Sequence, residues 1–186
     1  MSEKHSKIPI IFDIKNFLSK PPGQLAEVGQ LPRMPDIDLI RWLPTLNYDA
    51  GLVLQDSTWY VIRASTMGLP RWQMPHNSEI LLHSHPYDGE DEQNDGGSIP
   101  SISDYLNCSP TAKNLIVSHR GVTQYWRVIP EKHHLLEIEI HRTNFRFGKG
   151  SKTEYLKFLD EIGAKFTVYP WEEIDEEKLS RLLNTR

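Results

Sequence analysis

The chain has 186 residues, of which 38% are hydrophobic and 25% are charged, proportions typical of a globular domain with a core. Its formal charge of −4 at pH 7 gives no support to a nucleic-acid partner. The single cysteine, Cys108, cannot close an internal disulfide and lacks the neighbours of a nucleophile, so we expect a reducing, cytoplasmic compartment. No apolar run reaches the roughly 18 residues of a membrane span, and the N-terminal stretch does not have the pattern of a signal peptide.

Apolar periodicity and turn residues predict the elements of the first half of the chain. In chain order these are a strand running into a short helix in KIPIIFDIKNFLS (7–19), a helix ending near Pro44 in PDIDLIRWLPTL (35–46), two strands around a tight polar turn in AGLVLQDSTWYVIRAS (50–65), a loop in MGLPRWQMPHNS (67–78) and a short strand in EILLHSHP (79–86). The segment LAEVGQLPRM (25–34) is ambiguous because it is short and fits neither period.

The second half continues the mixture of helices and strands. In chain order the predictions are a helix capped by Ser101 or Ser103 in SISDYLN (101–107), a hairpin made by KNLIVSH and VTQYWRVI (113–129), a strand in the alternating HLLEIEIHR (134–142), an amphipathic helix in TEYLKFLDEIG (153–163), a strand in FTVYPW (166–171) and a charged helix in EEIDEEKLSRLL (172–183). Because the strands are mostly adjacent in sequence, we expect an α/β (α+β) sandwich with helices flanking a central mixed or antiparallel sheet.

Two histidines at the end of a predicted strand suggest a metal site. Residues i and i+2 of a strand point to the same side, so His83 and His85 project together. Pro86 stops the strand, and Asp104, in the first turn of the following helix, can supply a third ligand. Two imidazoles and one carboxylate leave one tetrahedral position for water, which is the arrangement of catalytic zinc. The alternative is a histidine pair that only forms hydrogen bonds in a polar loop.

The residues HSHP (83–86) and SISD (101–104) resemble the signature of the JAMM metalloproteases, also called the MPN-plus or JAB domain. The resemblance covers roughly residues 35–130. It implies a JAMM/cytidine-deaminase-like sandwich in which His83, His85 and Asp104 bind one Zn²⁺ per chain. It further implies that Ser101 stabilises the oxyanion, a role for which the spacing of Ser103 is wrong. Residues 1–34 are then an N-terminal extension, and 131–186 a strand-helix extension packed on the same domain.

One departure from the family pattern is the loop between the two parts of the motif. Residues 87–100 are about twice as many as the family usually has between its proline and serine, and most of them are acidic, polar or glycine. Such a composition fits a solvated surface loop, and it also fits a substrate-facing flap beside the metal. Both interpretations remain open at the level of the sequence.

The general base of the family is a glutamate upstream of the histidines, and two residues of this chain are candidates for it. Glu27 has the right side chain, lies at a usual distance before His83, and could supply the base from the N-terminal extension. Asp49 has the better local context because it follows a helix and starts a strand pair, but its side chain is one methylene shorter. Glu79 is discounted because it lies on the histidine strand itself.

The motif therefore predicts a zinc-dependent metallo-isopeptidase or peptidase. By resemblance, its substrate is a ubiquitin-like protein joined through its C-terminus, as in a deubiquitinase. We expect no nucleic-acid or membrane partner. Two alternatives differ in class: a catalytically impaired MPN-type binding or scaffold module, and a general JAB-type metallopeptidase acting on other peptides.

Overall fold

The structure is a computed structural model and describes residues 12–64, 77–86, 98–131, 134–146 and 151–184. Within these ranges it is a mixed α/β fold with seven strands and six α-helices. The strands are β1 (Glu27–Gln30), β2 (Ala50–Gln55), β3 (Thr58–Arg63), β4 (Ile80–Ser84), β5 (Lys113–Ser118), β6 (Gly121–Tyr125) and β7 (Phe166–Pro170). The helices are α1 (Ile14–Ser19), α2 (Ile37–Trp42), α3 (Ile102–Asn107), α4 (Leu135–Arg146), α5 (Lys152–Glu161) and α6 (Glu176–Leu182).

The seven strands form one sheet in the order β1-β3-β2-β4-β5-β6-β7. Every neighbouring pair is antiparallel except β4 and β5, which are parallel. A parallel pair requires a crossover from the end of one strand to the start of the next, and α3 lies in that connection. The end of β4, with its two histidines, is therefore where the chain leaves the sheet towards α3.

Each face of the sheet carries its own hydrophobic cluster. The first face packs against α1, α2 and α6 through buried residues such as Leu18, Ile40 and Leu179. The second face packs against α3, α4 and α5 through residues that include Ile116 and Tyr105. Because alternate residues of a strand point to opposite faces, Ile80 and Leu82 of β4 lie on the first face and His83 lies on the second.

Several predicted elements are confirmed. The β2–β3 and β5–β6 hairpins, the short helix α1 and the helices α2, α3, α5 and α6 all form where the sequence indicates. The ambiguous segment 25–34 contains β1, which forms one edge of the sheet. The strand expected before α1 and most of the loop expected in 67–78 fall outside the described residues. None of the helices in the described ranges is long and apolar enough to cross a bilayer.

The strand predicted in HLLEIEIHR (134–142) is wrong, since this segment belongs to the 12-residue helix α4. The alternation that suggested a strand does not correspond to one buried face. Leu136 and Ile140 are exposed, and Ile138 is buried in the second cluster. Leu136 and Ile140 are also four residues apart, which is helical spacing, so the same pattern fits both periods.

Both predicted extensions contribute to the same sheet and core. β1, from the region before residue 35, pairs with β3, and β7, from the region after residue 130, pairs with β6. The helix α6 adds Leu179 and Leu182 to the first cluster. The strands that these regions add therefore form the two outer edges of the sheet.

Candidate metal centre

The two histidines converge because of their place on β4. His83 is the fourth residue of the strand and His85 follows its end, so both rings project from the second face. Their Nε2 atoms are 3.0 Å apart. The two side chains are 16% and 17% exposed, so both are largely buried but still reach solvent. The register of β2 and β4 places Gly51 opposite His83, so no side chain of β2 stands directly against the ring.

Asp104 reaches the histidines from the first turn of α3. Its Oδ1 lies 3.2 Å from Nε2 of His83, and its Oδ2 lies 3.5 Å from Nε2 of His85. A capping box holds this turn: the Ser101 amide donates to Asp104 Oδ2 at 2.8 Å, and the Asp104 amide donates to Ser101 Oγ at 3.2 Å. Ser101, and not Ser103, is the N-cap of α3. The cap thus fixes the carboxylate that completes the cluster.

These distances suit a tetrahedral zinc ion. Zinc bonds of about 2.0–2.1 Å imply ligand atoms about 3.3–3.4 Å apart at the corners of a tetrahedron. The two imidazole nitrogens are 3.0 Å apart, and each lies near one oxygen of Asp104, at 3.2 Å from Oδ1 for His83 and 3.5 Å from Oδ2 for His85. In the described part of the chain, His83, His85 and Asp104 are the only group of three such side chains whose ligand atoms all lie within 4.8 Å of one another. The site can therefore hold a metal ion, with one position left open.

The electrostatics of the cluster favour an ionised carboxylate. Burial acts to raise the pKa of Asp104, but the charge and hydrogen bonds of His83 and His85 outweigh it. The pKa of Asp104 consequently lies well below its usual range. A carboxylate must be deprotonated to act as a metal ligand, so this environment matches the proposed use of the side chain.

Two tyrosines form the wall behind the histidines. The ring of Tyr125 on β6 meets the His83 ring edge-on at 6.4 Å, and Tyr105 on α3 meets Tyr125 at 5.8 Å. Tyr105 is fully buried, and its hydroxyl has no hydrogen-bond partner among the described residues. Such a wall restricts water on the inner side of a metal site and supports the orientation of its ligands. The sequence analysis missed both residues, although Tyr105 directly follows Asp104.

The two candidates for the general base lie in different places. Asp49 directly precedes β2. In the antiparallel register of β2 and β4, Gly51 faces His83, and extending that register by two residues places Asp49 opposite His85. Cross-strand partners project from the same face of a sheet, about 4.5–5.5 Å apart. We therefore expect Asp49 on the same face as the histidines, at the same end of the sheet.

The structure does not bring Glu27 to the histidines. Glu27 is on the edge strand β1, separated from β4 by β3 and β2, which amounts to about 14 Å at the usual strand spacing. Its side chain is 53% exposed and forms an ion pair with the buried Arg63 of β3. Glu27 has the longer side chain and a usual distance before His83 in the sequence, but the strand order places its carboxylate too far from the histidines.

The other polar residues considered from the sequence do not join this cluster. The Glu79 carboxylate accepts a hydrogen bond from the Ser57 amide at the β2–β3 turn, at the opposite end of β4 from the histidines. The His141 ring stacks on Phe158 at 4.0 Å. His76 and His133 lie outside the described residues, as do residues 87–97 of the acidic loop.

Comparison with known proteins finds no matching family model, no matching curated protein and no matching solved structure. The functional argument therefore depends on the geometry of the site and on the motif residues that form it.

Proposed function

We propose that this chain is a zinc-dependent metallo-isopeptidase or peptidase with a JAMM/cytidine-deaminase-like fold. The observation that carries the proposal is the triangle of His83, His85 and Asp104, whose ligand atoms lie close enough together to hold one metal ion. The agreement of this triangle with the motif in HSHP and SISD supports the JAMM assignment. A zinc ion held here supplies a nucleophilic water at neutral pH and polarises the amide carbonyl.

Asp49 is the proposed general base. It takes the proton of the attacking water and returns it to the leaving amine, a role that requires a carboxylate within reach of the open metal position. The β2–β4 register supports this assignment, since continuing it two residues beyond its last pair, Gly51 and His83, leads to Asp49 and His85. The Ala50 amide donates to Ser84 Oγ at 2.9 Å, so the residue that follows Asp49 contacts the residue between the two histidines.

Ser101 is the proposed oxyanion donor. Its hydroxyl oxygen accepts the amide hydrogen of Asp104, and this bond leaves the hydroxyl hydrogen available for a second partner. The same capping box holds Ser101 and the Asp104 ligand in one rigid turn. One residue thus orients a ligand and offers a donor to the developing negative charge.

The proposed substrate is a ubiquitin-like protein joined through its C-terminus, as the resemblance implies. Small residues at such a C-terminus allow the substrate backbone to approach the site closely, and an extended tail can bind by adding a strand to a sheet. The proposed setting is cytoplasmic, in keeping with a sequence whose single cysteine, the buried Cys108, can form no internal disulfide.

The test combines metal analysis with cleavage. Purified protein is expected to contain about one zinc per chain by elemental mass spectrometry and to cleave a ubiquitin-like fusion, with activity lost on chelation and restored by zinc. A matched control is His119→Ala, which alters an exposed histidine at the β5–β6 turn. Zinc binding without cleavage of any amide would favour the scaffold alternative. Cleavage of unfolded peptides but not of the fusion would favour a general metallopeptidase.

A further inference from the structure

A second polar cluster lies on the first face of the sheet, behind the proposed base. Its members are Tyr48 and Arg63, which meet at the end of α1. The Tyr48 hydroxyl donates to the carbonyl of Leu18, and Arg63 donates to the carbonyl of Phe17 at 3.1 Å. The last carbonyls of a helix have no partner within it, so these two side chains satisfy the end of α1.

Arg63 is held from several sides. Its side chain is only 5% exposed, and its guanidinium forms the ion pair with Glu27. The same group lies 5.1 Å from the centre of the Phe17 ring. In the β2–β3 register Arg63 is the partner of Ala50, the residue directly after Asp49. A buried guanidinium with these contacts has few alternative positions, so it fixes this corner of the sheet against α1.

Tyr48 and Asp49 are the two residues directly before β2. The Tyr48 ring packs against the first cluster, which also contains Ala50. If the alternation of β2 continues one residue back from Ala50, Asp49 points to the second face, where the histidines lie. The hydroxyl of Tyr48 stays neutral and able to donate, because burial raises its pKa and the charge of Arg63 only partly offsets this. Anchoring Tyr48 on one face consequently holds Asp49 on the other.

We propose that Tyr48 and Arg63 are positioning residues that hold Asp49 against the metal centre by tying the start of β2 to the end of α1. This inference rests on the proposed function, in which Asp49 is the base. Neither side chain touches the reacting atoms. Their loss should therefore alter catalysis by displacing Asp49, while the zinc ligands on β4 and α3 stay in place.

The test uses Tyr48→Phe, which keeps the ring and removes the hydroxyl, with Tyr60→Phe on β3 as the matched control. We expect Tyr48→Phe to lower kcat on the order of tenfold with KM and zinc content unchanged, because small displacements of a catalytic group are costly. In an Asp49→Asn background, single-turnover rates should show no further loss from Tyr48→Phe. A contribution to folding alone would lower the rate equally in both backgrounds. Arg63→Lys is a second variant, and we expect it to lower kcat as Tyr48→Phe does, with zinc content unchanged. If Arg63→Lys does not fold, the result with Tyr48→Phe alone decides whether the inference holds.

Amide hydrogen exchange at Ala50 tests the positioning without relying on activity. Exchange should be faster in Tyr48→Phe than in the unmodified protein and unchanged in Tyr60→Phe. If the unmodified protein cleaves no amide, the proposed function fails, and this measurement still decides whether Tyr48 holds the start of β2. Unchanged exchange at Ala50, an unchanged kcat in an active protein, or a loss of zinc parallel to the loss of rate would overturn the inference.

Discussion

The substitution pair Asp49→Asn and Glu27→Gln distinguishes the two carboxylates most directly. Each change keeps the size of the side chain and removes its ability to accept a proton. Continuing the β2–β4 register beyond Gly51 and His83 leads to Asp49 and His85, whereas Glu27 is three strand positions away, about 14 Å at the usual spacing. A proton acceptor must be within hydrogen-bond reach of the water, directly or through one further water, and the strand order favours Asp49 over Glu27 for that position.

The expected magnitudes follow from these positions. Asp49→Asn should lower kcat by about 10²–10⁴-fold, the usual effect of a lost acid–base group, which corresponds to about 3–5 kcal/mol in the barrier. Glu27→Gln keeps an amide oxygen for Arg63 and alters a carboxylate that is half exposed, so its effect should stay below about tenfold.

The assay is single-turnover cleavage of a ubiquitin-like fusion with excess enzyme, after zinc content and thermal unfolding have been measured for each variant. Both variants should retain zinc, since neither residue belongs to the ligand triangle. The opposite ranking, with activity lost in Glu27→Gln and retained in Asp49→Asn, would refute the argument from strand order. Retention of activity in both variants would show that neither carboxylate is the general base and would refute the proposed mechanism.

Further predictions concern the ligands, the cap and the tyrosine wall. His85→Ala should lose most of its zinc by elemental analysis while His119→Ala keeps it, because two remaining ligands cannot hold the ion as three do. Ser101→Ala should lower kcat by about a hundredfold or more and cost about 1 kcal/mol of unfolding free energy through the lost cap, whereas Ser103→Ala should do neither. Tyr105→Phe should be neutral or stabilising by up to about 1 kcal/mol in chemical denaturation, because it removes a buried hydroxyl without a partner. A marked loss of stability in Tyr105→Phe would contradict this and would mean that the hydroxyl forms a stabilising hydrogen bond in the folded protein.

Local sequence determined the parts of the fold and site that depend on near neighbours. The polar turn between β2 and β3, the Ser101 cap of α3 and the projection of His83 and His85 to one side all follow from periods and caps spanning a few residues. The helix α4 is the counterexample, because its apolar spacing fits both a strand and a helix. For such a segment, the choice between helix and strand depends on the surfaces against which it packs.

The tertiary structure decided how distant segments meet. Asp104 comes within 3.5 Å of both histidines only because the crossover between β4 and β5 carries α3 back over the second face. The choice between Glu27 and Asp49 depends on the order β1-β3-β2-β4, in which the first strand pairs with the third and is kept away from the site. Strand order is set by long-range pairing and burial, so it cannot be predicted from the residues next to Glu27 or Asp49 in the sequence.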